Sequence, residues 1–265
     1  MNYLDAIILG LVQGLTEFIP VSSSGHLVIT SHLLNVDSAF TFDVLLNFGT
    51  LTALLIYYRK KIADILKRSL LGKEWSLLAK LLAATIPAVF IGLAFGDNIK
   101  QLNESVWVVI VMLVLVGILM IRYGHARPDA TDEPIEKTVG WRTTFKIGVA
   151  QAIALIPGTS RSGITILTGL QSKLSAKKAA EFSFLLAIPT ILGASLKVLV
   201  TDGGFAFVKD NIGVVVVGNL VSFTAGILAI SFLIKLLGKR GLKDFGWYRI
   251  GLAGVLTVLL LTGVV

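Results

Sequence analysis

Residues 13–26 read QGLTEFIPVSSSGH, and residues 151–164 read QAIALIPGTSRSGI, so one polar pattern occurs twice at a spacing of 138 residues. The two copies align without a gap, from their first glutamine to the glycine that follows the serines. Each copy interrupts an apolar stretch with Pro, Gly and Ser, so neither stretch is long enough to cross a bilayer as one continuous helix. The repeat therefore predicts two matching, interrupted helical segments in an otherwise apolar chain.

The two copies differ in their reactive side chains. The first holds Glu17 and His26 where the second holds only aliphatic residues, and the second holds Arg161 at the position of Ser23. One copy thus carries an acid, an imidazole and a hydroxyl, and the other carries a permanent cation. This division predicts a single active site to which both copies contribute.

The composition predicts a polytopic helical membrane protein. Of the 265 residues 55% are hydrophobic and only 15% are charged, and the mean hydropathy is +0.84. A soluble domain of this size would carry more charge on its surface. The net charge of +8 has a topological explanation, given below, so we expect no nucleic-acid partner. The chain has no cysteine, which excludes a disulfide framework and a thiolate metal site.

Six stretches are long and apolar enough to span a bilayer, each needing about 20 residues. They are residues 40–58, 77–95, 105–121, 181–200, 212–237 and 247–264. Basic residues cluster on one side of these spans, in the segments 59–73, 122–146, 173–178 and 235–249. The loops on the other side, 96–104 and 201–211, contain only two basic residues, Lys100 and Lys209. By the positive-inside rule the basic segments are cytoplasmic.

This topology makes the second half an inverted copy of the first. Residues 142 and 173 both lie inside, so the segment between them must enter and leave the membrane on one face. Each half is then a re-entrant hairpin plus three spans, which gives an all-α fold of six transmembrane helices and two re-entrant helical hairpins in an inverted repeat. We expect a first repeat at 1–125, a cytoplasmic linker at 126–142 and a second repeat at 143–265. The two polar tips are expected to meet near the midplane, where they must line a cavity or be buried in protein.

The residue types at the tips suit phosphate-ester chemistry. Successive N–H groups in a Gly/Ser turn at a helix start bind anions, and the guanidinium of Arg161 matches phosphate oxygens. Ser23 is a candidate nucleophile with His26 as its base. Glu17 either orients His26 or holds a divalent cation. The candidates for binding substrate are Gln13, Ser22, Ser24, Gly158, Thr159, Ser160 and Ser162.

Two other interpretations compete with this one. The charges could form a structural cluster that pins the hairpins together, although such a cluster needs neither an imidazole nor a run of hydroxyls. The chain could also be an inverted-repeat transporter or a flippase for a phosphate-bearing substrate. Asp43 and Asn47 lie four residues apart on one helix face, and lining the cavity or capping a hairpin are equally good explanations for them.

At these motifs the chain resembles the undecaprenyl-diphosphatase family, also called bacitracin-resistance proteins. The resemblance rests on Gln13 and Glu17 as an (E/Q)xxxE motif, on FIPVSSSGH at 18–26 and on PGTSRSGIT at 157–165. It extends to NFGT at 47–50 and to the IP pairs at 86–87 and 188–189. Two long motifs in the right order make the resemblance specific.

The resemblance implies an enzyme of the plasma membrane that removes one phosphate from undecaprenyl diphosphate, which recycles the carrier lipid for cell-wall synthesis and confers bacitracin resistance. It implies catalytic roles for Glu17, Ser23, His26 and Arg161, with either Ser23 or His26 as the nucleophile. It also implies Mg²⁺ or Ca²⁺, with Glu17 as the candidate ligand. This chain has Gln13 where relatives with two carboxylates have Glu. We expect a site that opens to the extracytoplasmic face, a polyprenyl diphosphate lipid as substrate, and a homodimer as an alternative to the monomer.

Overall fold

The computed structural model describes residues 1–36, 40–72, 74–103, 105–125, 133–201 and 203–263. Within these ranges the chain is helical and contains no strand. The helices are α1 Tyr3–Phe18, α2 Ser23–Leu33, α3 Phe40–Leu45, α4 Asn47–Tyr57, α5 Arg59–Leu70, α6 Ser76–Ala94, α7 Gly96–Asn103, α8 Val106–Tyr123, α9 Ile135–Thr138, α10 Trp141–Ile153, α11 Arg161–Gln171, α12 Ala176–Thr201, α13 Gly204–Asp210, α14 Ile212–Arg240 and α15 Lys243–Leu261.

Five of the described helices are long and apolar enough to cross a membrane, namely α6, α8, α12, α14 and α15. They coincide with the last five predicted spans to within five residues at each end. The prediction of an all-α, polytopic membrane protein is therefore confirmed.

The first predicted span, 40–58, is not a single straight helix. It is interrupted at Leu46, where side chains of α14 bond to the backbone: Ser222 donates to the Leu46 carbonyl at 3.1 Å, and Asn219 accepts from the Gly49 N–H at 2.6 Å. Side chains that insert into the backbone hydrogen bonds of a helix commonly kink or interrupt it. After Tyr57 the chain bends by 72° into α5. The bend follows from the sequence, because α5 opens with Arg59-Lys60-Lys61 and these charges favour the membrane surface.

The two interrupted segments have the same local geometry. α2 and α11 begin at residues exchanged by the 138-residue spacing, Ser23 and Arg161, and both are 11 residues long. The residue before each helix is a serine with positive φ, 75° at Ser22 and 68° at Ser160. Each of these serines caps its helix by accepting from the N–H of the glycine three residues later, at 3.4 and 3.2 Å. The sharp turn and the cap explain why the chain reverses at these positions.

The helices pack in pairs, and the 138-residue sequence repeat relates the members of these pairs to one another. α1 packs on α14 and α10 packs on α6, while α8 and α15 pack on each other. These contacts are close because they involve glycine: a Cβ at Gly10 would collide with the carbonyl of Gly218, and one at Gly246 would collide with Gly117. Small residues at such contacts let helix backbones approach each other closely. The reciprocal pairing brings the two helix breaks together at the centre of the fold, where the Gly158 N–H donates to Ser24 Oγ at 3.2 Å.

Part of the predicted linker packs on the helices. Residues 126–132 lie outside the described residues. In the remainder, Ile135 and Val139 are buried, and the backbone carbonyl of Glu136 accepts from Lys80 Nζ at 2.9 Å. The Glu136 carboxylate also pairs with Lys61 of α5 at 3.0 Å. This half of the linker therefore fastens α5 and α6 to the segment that leads into α10.

Candidate active site

Glu17 lies at the centre of the polar contacts between the two helix breaks. Its Oε2 accepts from Ser23 Oγ at 2.8 Å and from Gln13 Nε2 at 3.1 Å. Its Oε1 accepts from Arg161 Nη2 at 3.0 Å. The side chains of Glu17 and Arg161 are each only 12% exposed, so this ion pair is largely withdrawn from solvent. The carboxylate thus connects a hydroxyl of the first break to a guanidinium of the second.

The local fold explains how these groups meet. Glu17 lies in the last turn of α1, and Ser23 is the first residue of α2. The positive φ of Ser22 reverses the chain between them, so that the hydroxyl returns to the carboxylate six residues earlier. Arg161 occupies the matching first position of α11. Its Nη1 is buried and has no hydrogen-bond partner among the described residues, which leaves one guanidinium donor for a bound anion.

Gln13 extends this network to α4. Besides Glu17, its amide nitrogen donates to Asn47 Oδ1 at 2.7 Å. Asn47 therefore belongs to the lining of the site, which was one of the two explanations open for it. The matching glutamine of the second copy, Gln151, instead donates to the carbonyl of Ala84 on α6 at 3.4 Å.

The hydroxyls expected to bind substrate are mostly engaged with one another. Ser22 and Ser24 are 3.1 Å apart between their Oγ atoms, and Ser160 and Ser162 are 3.3 Å apart. Thr159 is fully buried and donates to the Ile153 carbonyl at 3.4 Å. Gly158 has a positive φ of 85° and gives its N–H to Ser24. These residues shape the two turns and hold them against each other.

His26 lies one turn into α2 and faces away from Ser23. Its Nδ1 bonds to the Ser22 carbonyl at 2.8 Å, and its Nε2 bonds to Tyr248 Oη at 2.7 Å. The two rings stack nearly parallel, with their centroids 5.7 Å apart. Because a carbonyl can only accept, Nδ1 carries the proton in the neutral ring and Tyr248 donates to Nε2.

In this structure His26 therefore does not bond directly to Ser23, for which it was the candidate base, or to Glu17, which was a candidate to orient it. Both imidazole nitrogens are occupied elsewhere, and the described group that accepts from the Ser23 hydroxyl is the carboxylate of Glu17. The physical reason is that Nδ1 bonds back to the Ser22 carbonyl and Nε2 bonds to Tyr248 on α15, and these two bonds fix the ring away from Ser23. Tyr248 was not among the predicted site residues.

Arg249 is the second residue that the sequence analysis missed. It was counted with the cytoplasmic basic residues, but its side chain is fully buried. Its guanidinium donates to the carbonyl of Gly158 at 2.7 Å and to that of Pro20 at 3.4 Å, so it holds both breaks at once. It also donates to α8, at the carbonyls of Met112 and Leu113. The signal in the sequence was a charge inside an apolar span, which requires a polar partner in the fold.

The site offers one carboxylate for a metal ion. Both oxygens of Glu17 already accept hydrogen bonds, and the described residues contain no group of three or more His, Cys, Asp or Glu side chains that could hold a cation. Glu17 and the amide oxygen of Asn47 are hard oxygen ligands. This donor set fits a cation whose other ligands come from a phosphate-bearing substrate, and it does not fit a cation held by protein ligands alone.

The chain is similar to known proteins over nearly its whole length. The family described as "Bacitracin resistance protein BacA" matches residues 6–255. A protein of Porphyromonas gingivalis named undecaprenyl-diphosphatase is 42% identical over an alignment that covers 100% of this chain and 99% of the relative. A protein of the same name from Flavobacterium psychrophilum is 39% identical, over an alignment that covers 98% of this chain and 96% of the relative. Another from Lactobacillus delbrueckii subsp. bulgaricus is 36% identical, over an alignment that covers 97% of this chain and 98% of the relative. The chain belongs to the family of the bacitracin resistance protein BacA.

Proposed function

We propose that this chain is a membrane phosphatase that hydrolyses undecaprenyl diphosphate to undecaprenyl phosphate and inorganic phosphate. The reaction recycles the carrier lipid of cell-wall polymers and confers resistance to bacitracin. The observation that carries the proposal is the position of Glu17, whose carboxylate bonds to the Ser23 hydroxyl on one side and to the Arg161 guanidinium on the other. This arrangement places a nucleophile, a base and an anion-binding cation within one site. The names of the relatives support the same reaction.

In the first chemical step, Ser23 Oγ attacks the terminal phosphorus and its proton passes to Glu17, 2.8 Å away. A bond forms between Oγ and phosphorus, and the bond from phosphorus to the bridging oxygen breaks, so that undecaprenyl phosphate leaves. Glu17 then releases its proton to solvent. Water attacks the phosphorus of the phosphoserine while Glu17 takes a proton from that water, the bond from phosphorus to Ser23 Oγ breaks, Glu17 returns the proton to Oγ, and inorganic phosphate is released. Glu17 thus takes over the role of base that the sequence analysis gave to His26. His26 instead fixes the turn that carries Ser23, because its Nδ1 donates to the Ser22 carbonyl at 2.8 Å.

Arg161 stabilises the charge on the transferring phosphoryl group. Its Nη1 is free to donate to a phosphate oxygen, while its Nη2 stays on Glu17. Stabilisation of this kind is the main contribution that proteins make to phosphoryl transfer. Backbone N–H groups at the starts of α2 and α11 add to the positive potential, although those of Gly25 and Gly163 are already capped by serines.

A divalent cation, Mg²⁺ or Ca²⁺, would neutralise part of the charge of the diphosphate when bound. Glu17 and Asn47 are the residues that would hold it. His26 remains the alternative nucleophile, through a phosphohistidine at Nε2. That alternative requires Tyr248 to release Nε2 before attack.

We also propose that the enzyme lies in the plasma membrane, that the two interrupted segments are re-entrant hairpins of an inverted repeat, and that the site opens to the extracytoplasmic face. The reciprocal pairing of α1 with α14 and of α10 with α6 supports the repeat.

Labelling of a Ser23→Cys variant in intact cells by a membrane-impermeant thiol reagent tests the orientation. Labelling only after the cytoplasmic face is exposed would contradict it. A homodimer stays a prediction.

The test of the function is phosphate release from undecaprenyl diphosphate by detergent-purified protein with Mg²⁺ or Ca²⁺ present. We expect release by the wild type and its loss in Ser23→Ala, His26→Ala and Arg161→Ala. Ser172→Ala, outside the site, is the matched control. A folded wild type that releases no phosphate would favour a transporter or flippase, which could keep moving substrate without the Ser23 hydroxyl.

A further inference from the structure

An apolar groove of about 310 Å³ lies between α6, α7 and α12. Leu155 from the second break and Val44 of α3 line it together with these helices. Thr190 and Lys197 are its two polar lining residues, and the Thr190 hydroxyl is satisfied by the Leu186 carbonyl at 2.9 Å. The groove therefore offers apolar walls and, at one end, a single ammonium group.

We infer that this groove holds the first isoprenoid units of the polyprenyl chain while the diphosphate occupies the catalytic site. The inference rests on the proposed function. Two of the lining residues belong to the segments that build that site. Leu155 lies in the break that leads into Arg161, and Val44 lies three residues before Asn47, which is bonded to Gln13. A chain attached to a diphosphate at Arg161 can thus continue into the groove.

The size of the groove suits one chain. Its volume equals that of about ten water molecules in the liquid, which is room for roughly ten carbon atoms. Two isoprene units have that number of carbons, so the groove has room for the first two units of the chain. Val89 and Leu93 on its edge are 49% and 72% exposed, so the groove opens toward the lipid and the remaining units can lie in the bilayer.

The groove acts by positioning rather than by affinity. Lipid is as apolar as the groove, so moving the chain from one to the other gains little free energy. A groove that fixes the direction of the first units does, however, hold the phosphorus at a defined place relative to Ser23. Small misplacements of reacting atoms slow a reaction strongly. Blocking the groove should therefore lower kcat/KM for the lipid and leave the phosphate contacts unchanged.

Gly193 provides a sharp way to block it. This glycine lines the groove, and a Cβ added there would have no other atom within 4 Å, so Gly193→Leu fills the groove without disturbing the backbone. Gly251 of α15 is equally open and lies outside the groove, so Gly251→Leu is the matched control. We expect Gly193→Leu to lower kcat/KM for undecaprenyl diphosphate at least about tenfold. The inhibition constant of inorganic diphosphate, which has no chain, should change less than about twofold.

A direct measurement complements the kinetics. An isoprenoid diphosphate with a photoreactive group on its second unit should label residues 86–103 or 189–201 of the wild-type protein, and this labelling should disappear in Gly193→Leu. Labelling confined to other helices, or a kcat/KM for Gly193→Leu equal to that of Gly251→Leu, would overturn the inference. Both results leave the proposed function intact, provided that the wild type hydrolyses the lipid. A wild type without turnover would overturn the proposed function itself.

Discussion

The Glu17 carboxylate and the Arg161 guanidinium form an ion pair at 3.0 Å although the two residues lie 144 positions apart. The pair joins the end of α1 to the start of α11 and is largely shielded from solvent. Removing one partner of such a pair leaves an uncompensated charge and destabilises the fold. Substitutions that keep the charge therefore separate catalysis from stability better than alanine does.

Arg161→Lys is the first such substitution. We expect kcat/KM for undecaprenyl diphosphate to fall at least about a hundredfold, because an ammonium cannot bond to Glu17 and to a phosphate oxygen with the same fixed geometry. Phosphate release by the purified variant measures the effect. Arg68→Lys, at an exposed ion pair with Asp64 on α5, should retain wild-type activity. Full activity of Arg161→Lys would show that the guanidinium is not needed in the transition state.

The covalent intermediate distinguishes Ser23 from His26. Because Glu17 is bonded to the Ser23 hydroxyl and Tyr248 covers His26 Nε2, we expect a phosphoserine. After brief exposure to substrate labelled at its terminal phosphate, acid quenching should retain label on the peptide that contains residues 22–24. Ser23→Ala should abolish this label, whereas His26→Gln should retain some of it. Label that is lost in acid and survives in Ser23→Ala would identify His26 as the nucleophile instead.

Tyr248 is expected to be a positioning residue that acts through His26. Tyr248→Phe keeps the stacked ring and removes only the hydroxyl that donates to Nε2 at 2.7 Å. We expect kcat to fall about tenfold while KM changes less than about twofold, because the imidazole loses its fixed orientation but no phosphate contact is lost. Tyr123→Phe, an exposed tyrosine at the end of α8, is the control. An unchanged kcat in Tyr248→Phe would remove Tyr248 from the mechanism.

Much of the fold could be predicted from the sequence because its signals are local. Long apolar stretches define the membrane-spanning helices, and the Pro-Gly-Ser interruptions mark the two breaks to within a few residues. The gathering of Glu17, Ser23 and Arg161 could also be predicted, because the two copies of the polar motif were expected to meet. The interruption at Leu46 could not, since it depends on side chains of α14 that lie more than 170 residues away.

The contacts of α15 could not be predicted for the same reason. Nothing near residues 248 and 249 indicates that Tyr248 reaches His26 or that Arg249 reaches Gly158. The positive-inside rule counts basic residues along the chain and contains no information on burial, so it placed Arg249 with the cytoplasmic charges. The available cue was that Arg249 lies inside the predicted span 247–264, as its third residue, because a charge within a span must find polar partners in the fold.

Arg249 therefore yields a prediction about stability. Arg249→Met fills a similar volume but leaves the carbonyls of Pro20 and Gly158 without their donor, so we expect the free energy of unfolding to fall by about 3 kcal/mol. Denaturation of the detergent-purified variant, followed by circular dichroism, measures this loss. Arg240→Met removes an exposed pair with Asp244 and should cost less than about 1 kcal/mol. Equal stabilities of the two variants would mean that Arg249 does not hold the breaks together.

The last prediction concerns the divalent cation. The described residues of the candidate site supply Glu17 and the Asn47 amide oxygen, and Mg²⁺ bound by so few protein ligands takes its remaining ligands from phosphate and water. We therefore expect isothermal titration calorimetry to show no saturable binding of Mg²⁺ or Ca²⁺ below about 1 mM to the substrate-free protein. Binding should appear when a non-hydrolysable diphosphate analogue is present, and it should weaken in Glu17→Gln but not in Glu133→Gln. Tight binding to the substrate-free enzyme that survives Glu17→Gln would place the cation at another site.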